Sequence, residues 1–190
     1  MMDEVTRLRL DARSLGVEFI AWLGPFPVRG RFDDVRGTLV LAGTDIARTT
    51  LEVVVAAESL STGLAARDRH LRGPSFLDAR RHPFISFTSR RVQRDDGELR
   101  VAGTLLLRGR SCDVVSTCPV SRLDDAERSG HVSLRGRIDV PIREYGIAIP
   151  RGIDRLNPIF LVVGRRVRVH VSLVVPATLL RPMLLPAPAR

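Results

Sequence analysis

Residues 166–173 read Arg-Val-Arg-Val-His-Val-Ser-Leu, a strict alternation of polar and apolar side chains. Side chains on a β-strand point to opposite faces in turn, so this run has one face to bury and one to wet. As a helix it would scatter its valines around the axis and bury nothing. The same two-residue rhythm recurs through most of the chain. Val28, Gly30 and Phe32 alternate with Arg29 and Arg31; Gly37, Leu39, Leu41 and Gly43 repeat the spacing. Leu51, Val53, Val55 and Ala57 oppose Glu52 and Glu58, and Ile85, Phe87 and Ser89 form another face. Leu99 to Leu107 is the longest such run, long enough to favour a tilted barrel over a sandwich. Many short amphipathic strands with no long helical pattern constrain the fold to all-β and antiparallel.

Turn chemistry divides the strands. A strand from Val5 to Leu10 is expected to turn through Asp11–Ser14 into a longer one ending near Leu23. Gly24 to Pro27 reads as a loop, because two prolines interrupt a ladder. Asp95-Asp96-Gly97 is a hairpin turn, since Asp-Gly supplies the positive φ that tight hairpins need. Cys112 to Val120 is a less clearly patterned strand, Leu123 to Gly130 a polar loop or single helical turn, and Tyr145 to Pro158 a connection rich in Gly and Pro. One stretch breaks the rhythm: residues 62–83 form a helix or loop insertion, with the helix expected around Pro74–Arg81, Ser75 near its cap and Pro83 ending it. The expectation is an eight-stranded antiparallel barrel, whose closure would remove exposed edges. It occupies residues 1–176, and a Pro-rich tail without pattern follows over 177–190.

The formal net charge of +9 suggests an anionic partner, yet all 30 basic residues are arginine. A chain without a single lysine reflects compositional bias, and its arginines are dispersed along strand faces rather than clustered. A basic nucleic-acid-binding barrel would interleave aromatic and basic residues on one strand face. No such face is found, so no nucleic-acid partner is expected. Peripheral contact with an anionic membrane stays open. Cys112 and Cys118 have neither CxxC spacing nor a histidine cluster nearby, so no metal is expected. The first residues, MMDEVTRLRLD, lack the apolar core of a signal peptide, and no apolar run reaches the ~18 residues a spanning helix needs. On that reading the protein is cytoplasmic.

Several segments carry a resemblance. VRGRF and VRG (28–32, 35–37), SLSTG (59–63), RDRHLRGPSFLD (67–78), HPFISFTS (82–89) and LRVAGTLLLRG (99–109) follow one another in order. With these segments the chain resembles, over roughly residues 8–175, the YceI-like family of lipocalin-like barrels that bind polyisoprenoids. Trp22 stands where that family usually has a histidine, Glu18 and Phe19 look exchanged, and Gly24–Pro27 is an unusually rigid link. These departures put the lumen entrance and ligand identity in doubt more than the fold.

The resemblance implies a non-enzymatic carrier or store for a long-chain lipid: a polyisoprenoid, an isoprenoid quinone or a fatty-acyl type. That lipid is the ligand and no other cofactor is implied; a homodimer is left open. Alternation combined with the resemblance places the lumen lining at Phe19, Trp22, Phe32, Leu39, Val53, Val55, Phe76, Leu77, Ile85, Phe87, Val101, Leu105, Leu107, Ile138, Val140, Val169 and Val171. Phe76 and Leu77 would cap the lumen, with Arg67, Asp68, His70 and Asp78 anchoring the loop. The alternative is an enzyme on the same kind of lipid, with Arg67, Asp68 and His70 as acid-base groups. No nucleophile motif accompanies these three, so no catalytic residue is assigned.

Overall fold

The computed structural model describes residues 5–23, 25–120, 130–147 and 166–184. Eleven strands among these residues form one antiparallel sheet, in the order β1-β4-β5-β7-β8-β9-β10-β11-β2-β3-β6. They are β1 Val5–Leu10, β2 Leu15–Leu23, β3 Phe26–Phe32, β4 Val35–Ala42, β5 Thr50–Ala56, β6 Leu60–Ser61, β7 Phe84–Asp95, β8 Glu98–Leu107, β9 Arg110–Pro119, β10 His131–Val140 and β11 Val167–Pro176. The all-β antiparallel expectation is met, but not with eight strands. The sheet curls into a half-barrel, and its edges are not abolished: β1 pairs only with β4, and β6 pairs only with Arg31 and Phe32 of β3.

Alternation is obeyed strand by strand. On β5 Val53 and Val55 are buried while Glu52 and Val54 are exposed; on β8 Leu99, Gly103, Leu105 and Leu107 are buried. Gly30 and Gly103 are explained by what lies over them. A Cβ on Gly30 would meet the Phe19 ring at 2.3 Å, and one on Gly103 the Phe87 ring at 2.6 Å. The missing side chains admit rings from neighbouring strands rather than leaving space.

Three further sequence expectations are corrected. Gly24–Pro27 is not wholly a loop, for β3 begins at Phe26 and pairs Pro27 with Trp22. Proline is tolerated there because β3 has a second neighbour only at Arg31 and Phe32. The helix expected around Pro74–Arg81 lies earlier: α1 spans Ala65–Arg72, and Gly73–Pro74 ends it. Residues 74–81 are successive turns, with Asp78 at φ 49°. The tail is not without pattern, since Ala177–Leu184 forms a second helix, α2. Its Ala177, Leu180 and Met183 are buried in the main core at the end opposite the 62–83 insertion. Finally, the Asp95–Gly97 hairpin stands as expected, with Asp96 at φ 41° and Gly97 at φ 80°. The stretch 123–129 and most of the 145–158 connection lie outside the described residues.

The outer face is wet and largely self-neutralised where β2, β10 and β11 meet. Arg135 reaches Glu18 at 3.1 Å, and Asp139 takes Arg137 at 3.0 Å and Arg168 at 3.2 Å. His170 points outward among them. Partial burial, with Arg135 and Arg168 beside it, pushes its imidazole below the ordinary histidine range.

Because α2 supplies buried side chains, Leu180→Ala should cost about 2–4 kcal/mol. Urea unfolding of the variant checks this. A loss under about 0.5 kcal/mol would show the helix to be an accessory to a domain ending at residue 176.

Candidate functional site

The inner faces of the strands enclose a cavity of about 270 Å³. Its walls come from β2, β3, β5, β7, β8, β9, β10 and β11, so it runs through the middle of the curl. Almost every wall atom is carbon. Among the described residues no carboxylate lines it; Arg67 and His70 are its only charged or titratable nitrogens of that kind, and both belong to the insertion.

Sixteen of the seventeen expected lining residues border this cavity: Phe19, Trp22, Phe32, Val53, Val55, Phe76, Leu77, Ile85, Phe87, Val101, Leu105, Leu107, Ile138, Val140, Val169 and Val171. Leu39 does not. It is buried in the core on β4, between Leu8 and Leu51, where Leu10 and Leu15 already fill the space beside Gly37. Trp22 borders the cavity from an unexpected side. Phe19 and Ala21 alternate inward on β2, so Trp22 belongs to the outer face, and the Arg168 guanidinium sits 5.4 Å from its ring centre. Phe19 and Phe32 meet inside with ring centres 5.7 Å apart.

Sequence reasoning missed several wall residues. Val17, Ala21, Leu99, Val167 and Leu173 share the parity of residues already named, and extending each alternation by one step would have found them. Ser116 and Cys118 were missed because β9 mixes polar residues into both faces.

The insertion closes one end. It begins where β6 leaves β3 and re-enters the sheet at β7, the same end at which β8 turns into β9. Arg108, in that turn at φ 55°, donates to the Pro74 carbonyl at 2.8 Å and to the Gly146 carbonyl at 2.7 Å. It thereby ties insertion, turn and post-β10 loop together. Arg72 donates to the Leu60 carbonyl from the far end of α1. Arg67 and Asp68 both serve as anchors, but not by pairing with each other. They converge on Thr62: its N–H donates to Asp68 at 2.9 Å, its hydroxyl donates to the same carboxylate oxygen, and Arg67 donates to that hydroxyl at 2.8 Å and to the Thr62 carbonyl at 3.0 Å. Asp78 is buried under the turns, with Arg81 4.0 Å away. His70 packs edge-on against Phe76, ring centres 5.0 Å apart. Phe76, Leu77 and Leu71 face the cavity from this lid. Arg67, Asp68, Arg72 and Arg108 are therefore engaged by Thr62 and by backbone carbonyls, which fixes the insertion over this end of the sheet.

The model of the YceI-like domain family matches residues 8–175. The protein YceI of Escherichia coli O157:H7 is 36% identical over 90 residues, 47% of each chain. A UPF0312 protein of Pectobacterium atrosepticum is 34% identical over 94 residues, 49% of each. The matched part spans about half the length of these curated relatives. Among solved structures, BcnA of Burkholderia cenocepacia superposes with a TM-score of 0.70 at 15% identity, covering 85% of this chain and 96% of that one. A polyisoprenoid binding domain from Saccharophagus degradans gives 0.61 at 14% identity, over 90% and 98%. At such identities the likeness is one of fold.

Removing the Asp68 carboxylate strands the Thr62 N–H and the Thr62 hydroxyl proton, at a cost of about 1–3 kcal/mol. Asp68→Ala should therefore speed proteolytic cleavage and amide exchange within residues 62–83 while leaving β8–β9 protected. Unchanged exchange in the lid would refute the anchoring role.

Proposed function

The chain belongs to the YceI-like domain family, and from that premise we propose that it holds a long-chain apolar lipid in the lumen without converting it. The observation that carries this reading is the cavity wall: aliphatic or aromatic on every wall strand except β9, which adds Ser116 and Cys118, and closed by a lid that contributes Leu71, Phe76 and Leu77 beside Arg67 and His70. Each 100 Å² of hydrocarbon taken out of water there is favourable by about 2.5 kcal/mol. A bilayer solvates the same chain equally well, so the net preference is small, as a carrier or store requires. A polyisoprenoid, an isoprenoid quinone or a fatty-acyl lipid fits that chemistry. The likeness to a domain described as polyisoprenoid binding favours the first two. A non-enzymatic role is supported by the engagement of Asp68 with Thr62 and by a wall without carboxylates.

Membrane contact belongs to the same reading. The lid carries exposed Arg69, Arg80 and Arg81 while its two aspartates are buried. Phe26, 70% exposed, tips the β2–β3 hairpin at that end of the sheet; Phe84, 58% exposed, opens β7 there, and Leu64, 45% exposed, precedes α1. Cations flanked by exposed apolar side chains suit an anionic lipid surface.

Two outcomes are expected. Organic extraction of purified protein followed by mass spectrometry should yield a long-chain lipid at near-stoichiometric amount. A lipid-free extract, together with no binding of fluorescent isoprenoid probes, would overturn the lipid reading. Reversing Arg69 and Arg80 to Glu should cut co-sedimentation with phosphatidylglycerol-containing vesicles at least about tenfold, since each arginine near such a surface contributes about 1 kcal/mol. Equal sedimentation of variant and wild type would remove the membrane from the scheme.

A further inference from the structure

The cavity wall contains one hydroxyl among the described residues, that of Ser116. Alternation on β9 turns Val114, Ser116 and Cys118 inward, and Ser116 is only 8% exposed. It faces Val101 across the β8 pairing. On its other side lies Gly136 of β10, where a Cβ would come within 2.6 Å of the Ser116 oxygen. The glycine thus clears the space into which the hydroxyl projects. Among the described residues no hydrogen bond engages that oxygen, whereas the outward Ser172, in the corresponding position beside Gly16, reaches the Gly16 carbonyl at 3.5 Å. The buried side-chain oxygens left without a partner among the described residues are Thr49 Oγ1 and Tyr145 OH; the Ser116 hydroxyl differs from them in lining the cavity, as a polar group set in an otherwise apolar wall. Here the open side of the hydroxyl is the lumen itself. Ser116 lies six residues along β9 from its lid-end residue Arg110, about 20 Å of strand at ~3.3 Å per residue. Among the described residues the cavity's one arginine is Arg67, in the lid.

We propose that the lumen accepts its lipid oxygen-end first, with Ser116 donating a hydrogen bond to an uncharged ligand oxygen and the hydrocarbon chain trailing toward the lid. This rests on the lipid-binding reading and narrows it. The class selected is a neutral lipid bearing a hydroxyl or carbonyl at one end: a prenyl alcohol or an isoprenoid quinone. A diphosphate or carboxylate cannot follow that path, because an unpaired charge in an apolar cavity is strongly disfavoured. Such a lipid enters tail first, leaving its head at the lid and Ser116 without a partner.

Three probes of one chain length separate the orientations: farnesol, farnesene and farnesyl diphosphate, titrated against wild type, Ser116→Ala and Ser116→Thr. Ser116→Ala should weaken farnesol about five- to tenfold and leave farnesene and farnesyl diphosphate within twofold. Ser116→Thr, which restores a hydroxyl, should recover most of the farnesol affinity. A short-chain ubiquinone adds a spectroscopic check: its carbonyl stretch should shift on binding wild type and lose part of that shift in Ser116→Ala. Equal losses for farnesol and farnesene, or no loss for either, would overturn the proposal while leaving lipid binding intact. Wild type that binds none of the three would overturn the lipid reading and this inference with it. Unchanged farnesene affinity in Ser116→Ala also reports that the variant keeps its fold.

Discussion

The apolar face of this sheet has no second sheet to pack against, and the rest of the structure follows from that. Among the described residues every long strand belongs to one sheet, so its inner face can leave water only by curling onto itself. Curling brings side chains from strands far apart in sequence into one interior: Val17 of β2 and Leu105 of β8 share a wall. It also makes the middle of the interior hardest to fill. Phe19 and Phe87 lean over Gly30 and Gly103, which packs rings against backbone near the wall and leaves the axis open. The same geometry that stabilises the fold therefore produces the cavity.

A curled sheet has two ends, and the chain treats them differently. At one, α2 follows β11 without a break and places Leu180 and Met183 in the core. At the other, apolar Leu71, Phe76 and Leu77 are held over the cavity by polar contacts: Arg108 on two carbonyls, Arg72 on Leu60, and Thr62 between Arg67 and Asp68. Apolar packing makes a permanent closure. Hydrogen bonds at a wet surface can be exchanged for water at small net cost, so this end is the one able to open.

Much of this was legible in the sequence because a period of two is a local property. Sixteen lining residues could be named from parity and family resemblance, since inward and outward side chains must alternate whatever the sheet's curvature. Leu39 shows the limit of that logic. Its parity is correct, but whether an inward residue meets a cavity or a neighbour depends on how β1 folds over β4. Trp22 shows another, for its register on β2 could be counted only with the strand's bounds in hand. The helix lies earlier than the sequence suggests because Pro74, after Gly73, follows a helix end rather than opening a helix. The α2 helix was hidden by prolines in a segment whose stability comes from tertiary contact, which outweighs propensity. Strand count and edge pairing escaped because β6 is two residues long and has no pattern of its own.

The α2 floor has a kinetic consequence. With Leu180 and Met183 packed into the core at one end, a lumen that holds lipid as proposed would be a blind-ended vessel rather than a tube, and its cargo would leave by the door it entered. Release then cannot be pushed by a second molecule arriving from behind. On the proposed reading it waits on the lid, so residence time follows how often the lid's contacts let go. A vessel of that kind exchanges cargo where its doorway is disturbed, and holds it everywhere else.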